Sequence, residues 1–252
     1  MLKINGFKAG IAVAIGLGCL LLPPALAQNV GTALTESGIQ PEAMQLYDRA
    51  VKELHQGHAI PAEKDAMRAL QIDKKFADAA ALASTAASKQ QQFDRARAEA
   101  TQALQIDPAD EKAWVILATA DNYLAKYSDA AAALGHVSPQ DQETWQVAYQ
   151  WARAEAGQQH LQQCFDWTNR AAVSAPSNFA PLHLLRASML LALGDTVRAA
   201  DQLEIYLQLP SVNPTQRDLL TQELHRLRKL SPKAPASPPV ANGATESNAQ
   251  AN

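Results

Sequence analysis

Alanines and other small apolar residues recur three and four positions apart along the middle of this chain, with polar residues between them. Ala62, Ala66 and Ala69 follow that interval, and Ala96, Ala100 and Ala103 repeat it. The spacing gathers them on one face of a helix. Glycine and proline punctuate the pattern. Pro41 suits the first turn of a helix, where its missing N–H costs nothing; Gly57 breaks that helix and Pro61 opens the next. The pattern predicts helices over 41–56, 61–72, 77–89 and 93–106, then one carrying Trp114, Leu117 and Ala118 and a short one from Tyr127 to near Gly135. It predicts further helices over 142–156, around Cys164 to Ala171, from Pro181 to the Gly194-Asp195 turn, and through Ala199, Leu203 and Tyr206. Asn213-Pro214 reads as an N-cap followed by a first-turn proline. The helix it opens places Leu219, Leu220, Leu224 and Leu227 on one side. No stretch reads as a strand.

The pentapeptide Ala-Leu-Gln-Ile-Asp at 69–73 recurs letter for letter at 103–107. Pro108 follows the second copy, the usual place for a proline after a helix end, and Lys74 holds that place after the first. Prolines at 139, 176 and 210 continue the series with steps of 31, 37 and 34, predicting five units with a short third and a long fourth. The interval between the two pentapeptides, about 34 residues, is the helix-turn-helix period of tetratricopeptide repeats. Trp114, Leu117 and Ala118 resemble the family's W-x2-L-G-x2-Y pattern, with Ala118 for glycine and Asp121 for tyrosine. The resemblance implies an all-α fold, a right-handed α-α superhelix (solenoid) of about five TPR helix pairs plus a C-terminal capping helix. Its units are placed at about 43–76, 77–110, 111–141, 142–178 and 179–212, with the cap over 214–230. It also implies an inner groove, lined by the first helix of each unit, that holds a peptide or helix of another protein.

Residues 1–27 change the expected location. Lys3 and Lys8 precede an uncharged run over 11–22, and Ala25-Leu26-Ala27 fits the small-x-small cleavage pattern of a secretory signal peptide. The expected mature chain begins at Gln28, is periplasmic or secreted, and has no membrane span, with a loose lead-in over 28–40. Residues 231–252, rich in Pro, Ala, Ser and Asn, read as a disordered tail. The net charge is −3, and no basic stripe is visible, so nucleic acid is not an expected partner. Once Cys19 leaves with the signal, Cys164 is the one cysteine, and it falls at an alanine place of the repeat.

Catalytic chemistry finds little support. No phosphate loop, G-x-S-x-G, H-E-x-x-H or paired cysteines occur in the mature region. His55 and His58 straddle Gly57 at a helix end and read as turn histidines, and acidic residues read as solvated faces. The expectation is a non-enzyme with no cofactor and no metal. With Trp114, Leu117 and Ala118 facing the core, helical geometry puts Val115, Thr119, Asn122 and Tyr123 on the neighbouring inner stripe. Arg153 falls on it in the fourth unit, and Leu184 and Ser188 in the fifth. Tyr123 and Arg153 are expected to be exposed there as contacts for the partner. The function read from these residues is an exported scaffold for protein-protein interaction in the cell envelope. The alternatives are a self-associating structural protein, a homo-oligomer, and an accessory subunit of an envelope enzyme complex.

Overall fold

The computed structural model describes residues 38–210 and 212–230, and every element among them is a helix. The expected signal peptide, most of the expected lead-in and the expected tail lie outside these residues. The helices are α1 (Pro41–His55), α2 (Ala59–Ile72), α3 (Ala77–Lys89), α4 (Phe93–Ile106), α5 (Glu111–Tyr123), α6 (Tyr127–Leu134), α7 (Pro139–Gln142), α8 (Trp145–Gly157), α9 (Leu161–Ser174), α10 (Ala180–Ala192), α11 (Thr196–Gln208) and α12 (Pro214–Leu230). Apart from the one-turn α7, each packs on the next, giving five helix pairs closed by α12.

The period is more even than the prolines imply. Second helices begin at 59, 93, 127, 161 and 196, and first helices from α3 onward at 77, 111, 145 and 180. The expected short third and long fourth units are therefore not found as shifts of register. Pro139 does not follow a repeat end as Pro108 does. It opens α7 behind a Ser138 cap, and α7 fills the gap left because α6 has only 8 residues. The first helix of the fourth unit accordingly starts at Trp145, not Gln142.

Each pair is joined by the same turn. Gly57, Gln91, Ala125, Gln159 and Gly194 all have left-handed φ, between 58° and 84°. After each, the next N–H donates back to the carbonyl five residues earlier: His58 to Glu53, Gln92 to Ala87, Lys126 to Asp121, His160 to Glu155 and Asp195 to Leu190, at 2.8–3.0 Å. This is the Schellman closure, which satisfies carbonyls the helix end leaves open. Only two of the five turns use glycine, the residue that adopts this conformation without cost.

The repeated pentapeptide also has a physical reading. Ala69, Leu70, Ala103 and Leu104 are buried. Asp73 and Asp107 then bend the chain into the next unit, each accepting from the N–H two residues on, at 3.0 Å. The fourth, eighth and eleventh residues of the second helices form the expected inward face. Ala62/Ala66/Ala69, Ala96/Ala100/Ala103, Cys164/Thr168/Ala171 and Ala199/Leu203/Tyr206 are all buried. Cys164 is fully covered, and burial pushes its thiol up to about 12, so it is an inert core residue. Trp145, Trp151 and Trp167 pack internally: Trp145 against Phe179 with ring centroids 4.8 Å apart, and Trp151 stacked on Trp167 at 5.3 Å. At the end of the stack the Asn213 side chain caps α12, as its sequence suggests, accepting from Thr215 N at 2.9 Å. Arg217 donates to the carbonyl of Leu207 in the last turn of α11 and to that of Leu209 just beyond it.

Candidate functional site

Because α3, α5, α8 and α10 are each 13 residues long and start in register, their equivalent positions line up as columns across the stack. The fifth column is Ala81, Val115, Tyr149 and Leu184, and the ninth is Thr85, Thr119, Arg153 and Ser188. The last two columns hold Asn122 and Tyr123 from α5 and Ala156 and Gly157 from α8. Every residue assigned to the stripe from sequence falls in these columns.

Their depth differs from expectation. Thr119, Asn122, Arg153, Leu184 and Ser188 are buried, and Val115 and Tyr123 are half-buried. Thr119 and Ser188 turn their hydroxyls back to Val115 O and Leu184 O, at 2.8 and 2.9 Å, satisfying themselves within their own helices. Leu184 is core, packed in one cluster with Leu203, Val212 and Leu220 beneath the capping helix. The expectation that Tyr123 and Arg153 stand exposed is overturned by how they pack. The Arg153 guanidinium carbon lies 3.9 Å over the Tyr123 ring, on which Phe93 also stacks, at 4.0 Å with planes 2° apart. The result is a three-layer stack of Phe93, Tyr123 and Arg153 that ties α4, α5 and α8 together. Asn122 also joins α5 to α8, its Nδ2 donating to Gln150 O at 2.9 Å and to Gln150 Oε1 at 3.1 Å.

The electrostatics of this cluster are unbalanced. Arg153 is only 6% exposed, yet no carboxylate pairs with it among the described residues, and its Nη1 has no hydrogen-bond partner. Asn122 Oδ1 is likewise buried without a donor. Tyr149, buried beside Arg153, has its phenol pushed well above the usual range by burial, so it remains a neutral hydroxyl. Buried charge and buried polar atoms are costly when unpaired, and here they gather at one junction, between units three and four.

Sequence reasoning missed Phe93 and Gln150 as members of this cluster. Phe93 reads as an ordinary first residue of a helix, and Gln150 shares a column with the apolar Ile116. It also missed four buried acids. Glu63, Asp65, Glu99 and Asp121 are each at most 7% exposed, where the composition suggested solvated faces. A signal for the first of them exists in the chain. Glu63 and Arg95 are opposite charges 32 residues apart, two short of the repeat, as are Arg97 and Asp129, and both pairs close, at 2.7 and 3.7 Å. His58 is engaged with Glu53 at 2.8 Å, and His160 repeats the arrangement with Glu155 at 2.7 Å.

No family model and no curated protein matches the chain. Solved structures do. PilW, described as a widely conserved type IV pilus biogenesis factor, superposes with a TM-score of 0.63 at 15% identity, over 76% of this chain and 88% of its own. YrrB, described as a TPR protein with an unusual peptide-binding site, gives 0.57 at 14% identity, over 79% and 99%. A thermophilic TPR protein of Thermus thermophilus gives 0.55 at 14% identity, over 73% and 99%. The chain has the tetratricopeptide fold. At these identities the likeness is one of fold, and it agrees with the even helix spacing. In the tetratricopeptide frame this buried polar cluster lies where the first helices of the third and fourth units meet.

Proposed function

We propose that this chain is a scaffold for protein-protein interaction that holds a peptide or helix of a partner against its first helices, and that it is exported to the cell envelope. The observation that carries the reading is Arg153, a buried guanidinium on the stripe that lacks a counter-charge among the described residues. A bound segment that displaces the side chains covering Nη1 would bring it the carboxylate or carbonyl that the fold leaves out. The solved relatives support the class of function: one is named for pilus biogenesis and another for peptide binding. Helix-in-groove or extended-peptide binding needs no catalytic group.

The test is a photo-cross-linking amino acid placed singly in the full chain, at Val115 on the stripe and at Gln102, an exposed residue of α4. In cells that make the protein naturally, Val115 is expected to give one discrete adduct, mapped by mass spectrometry to a single segment of a second protein, and Gln102 none. An adduct of twice the chain's mass would assign self-association instead. Equal labelling from both positions would refute the stripe as the contact. N-terminal sequencing of the same material tests export: a start at Gln28 supports it, and a lipid-bearing start at Cys19 would place the chain on a membrane.

A further inference from the structure

Away from the stripe, two buried carboxyls meet between the first and second units. Glu63 projects from α2 and Glu99 from α4, at 7% and 6% exposure. Both oxygens of Glu63 are occupied by donors: Arg95 Nη1 reaches Oε1 at 2.7 Å, and Gln90 Nε2 reaches Oε2. Glu63 is thus engaged as an acceptor at both oxygens. Glu99 lies within hydrogen-bonding reach of Glu63, and its own Oε2 has no hydrogen-bond partner. Two carboxylates facing one guanidinium would leave a surplus negative charge under cover. A protonated Glu99 removes it by donating to Glu63, and a neutral carboxyl tolerates an unpartnered oxygen far better than an ion does.

We propose that Glu63 and Glu99 bind one proton between them at the α2–α4 contact, and that its release loosens the junction of the first two units, making this end of the stack a pH-sensitive element. The charged groups that face Glu99 are Glu63 from α2 and Arg95 from its own helix, while α3 is followed by the neutral Gln90. Burial first, and Glu63 second, push the Glu99 carboxyl up to about 7, against a partial offset from Arg95. The sign follows from linkage. In the unfolded chain Glu99 loses its proton near 4.5, and in the folded chain near 7. Between those values the folded state holds the extra proton. Stability from this group is therefore complete below about pH 4.5, falls as the pH rises, and is lost above about 7. Glu99→Gln keeps the hydrogen bond to Glu63 and removes the titration.

Two measurements on the full chain decide the matter. The first is the melting temperature of wild type and Glu99→Gln between pH 5 and 8. Wild type is expected to lose several degrees over that range, and Glu99→Gln is expected to lose much less and to be the more stable form at pH 8. The second needs no variant. A carbon-13 NMR titration of the glutamate carboxyls in the wild type is expected to show one group with its midpoint near 7. Hydrogen exchange in α2, corrected for intrinsic rates, should speed up across the same midpoint, with α11 unaffected. Parallel melting curves for the two proteins, or glutamates that all titrate near 4.5, would overturn the proposal even if Glu99→Gln folded poorly.

Discussion

Gly157 is the position where the packing makes the sharpest demand, and Gly157→Ala tests it. The residue ends α8, where alanine is ordinarily preferred to glycine by up to about 1 kcal/mol. Here a Cβ would lie 2.1 Å from Cγ of Tyr127 and 2.2–2.3 Å from its two Cδ atoms. These atoms are the root of the ring, so no swing of a flexible tip relieves the clash. Either Tyr127 leaves its rotamer, at about 0.5–1.5 kcal/mol, or α6 and α8 move apart, with the about 1–3 kcal/mol typical of overpacking. The expected net result is a loss of about 1–2 kcal/mol where helix propensity alone would forecast a gain. The reason is legible across units. One unit earlier the same slot holds Phe93 against Tyr123, two rings face to face. In the next, the Tyr127 ring takes the whole space and the position opposite must be bare. The assay is urea unfolding by far-UV circular dichroism of Gly157→Ala in two backgrounds. In wild type the change should destabilise. In Tyr127→Ala, with the ring gone, it should be neutral or stabilising. A stabilising effect in wild type, or the same effect in both backgrounds, would refute the reasoning.

Ala125→Gly should stabilise by about 0.5–1 kcal/mol, because a left-handed residue with a Cβ costs about 1–2 kcal/mol and glycine's extra unfolded-state freedom returns only part of that; thermal melting against wild type checks the sign. Arg97→Met should cost about 3 kcal/mol near neutral pH. It strands Asp121, 1% exposed, whose carboxyl burial already raises against the pull of Arg97 at 2.6 Å. Since an uncompensated carboxylate protonates as the pH falls, the deficit should shrink toward pH 4, read from denaturant midpoints at a series of pH values.

Much of this architecture is visible in the bare chain, and particular residues show why the rest is not. The alanine faces, the turn at Gly57 and the Asn213-Pro214 start are local, and local rules find them. Pro139 misleads because a proline after a helix and a proline opening one look alike in sequence; only the Ser138 hydroxyl accepting from Asp141 N at 3.4 Å separates them. The stripe residues are found by helical angle, but angle gives direction and not depth. Whether Arg153 lies in solvent or on Tyr123 depends on a neighbour in the preceding unit. Glu63 and Glu99 go unread for the same reason. Each looks like a solvated charge within its own helix, and only the stacking of unit on unit puts them in contact.

That stacking reuses one slot with different physics. The fifth residue of a second helix faces the third residue of the next second helix. Glu63 meets Arg95 there at 2.7 Å, and Arg97 meets Asp129 with the signs reversed at 3.7 Å. Between the fourth and fifth units Phe165 meets Arg198 as a cation over a ring at 5.5 Å. The backbone period sets the geometry of the slot, so its chemistry is free to vary. Ion pairs at half-exposed arginines are worth about 0–1 kcal/mol and are screened by salt, whereas a cation on an aromatic face keeps its dispersion and apolar contact in salt. At this slot the first three units are thus joined by contacts that answer to pH and ionic strength, and the last two by one that does not. Arg153, stacked on Tyr123, lies at the junction of the third and fourth units, between these two kinds of slot.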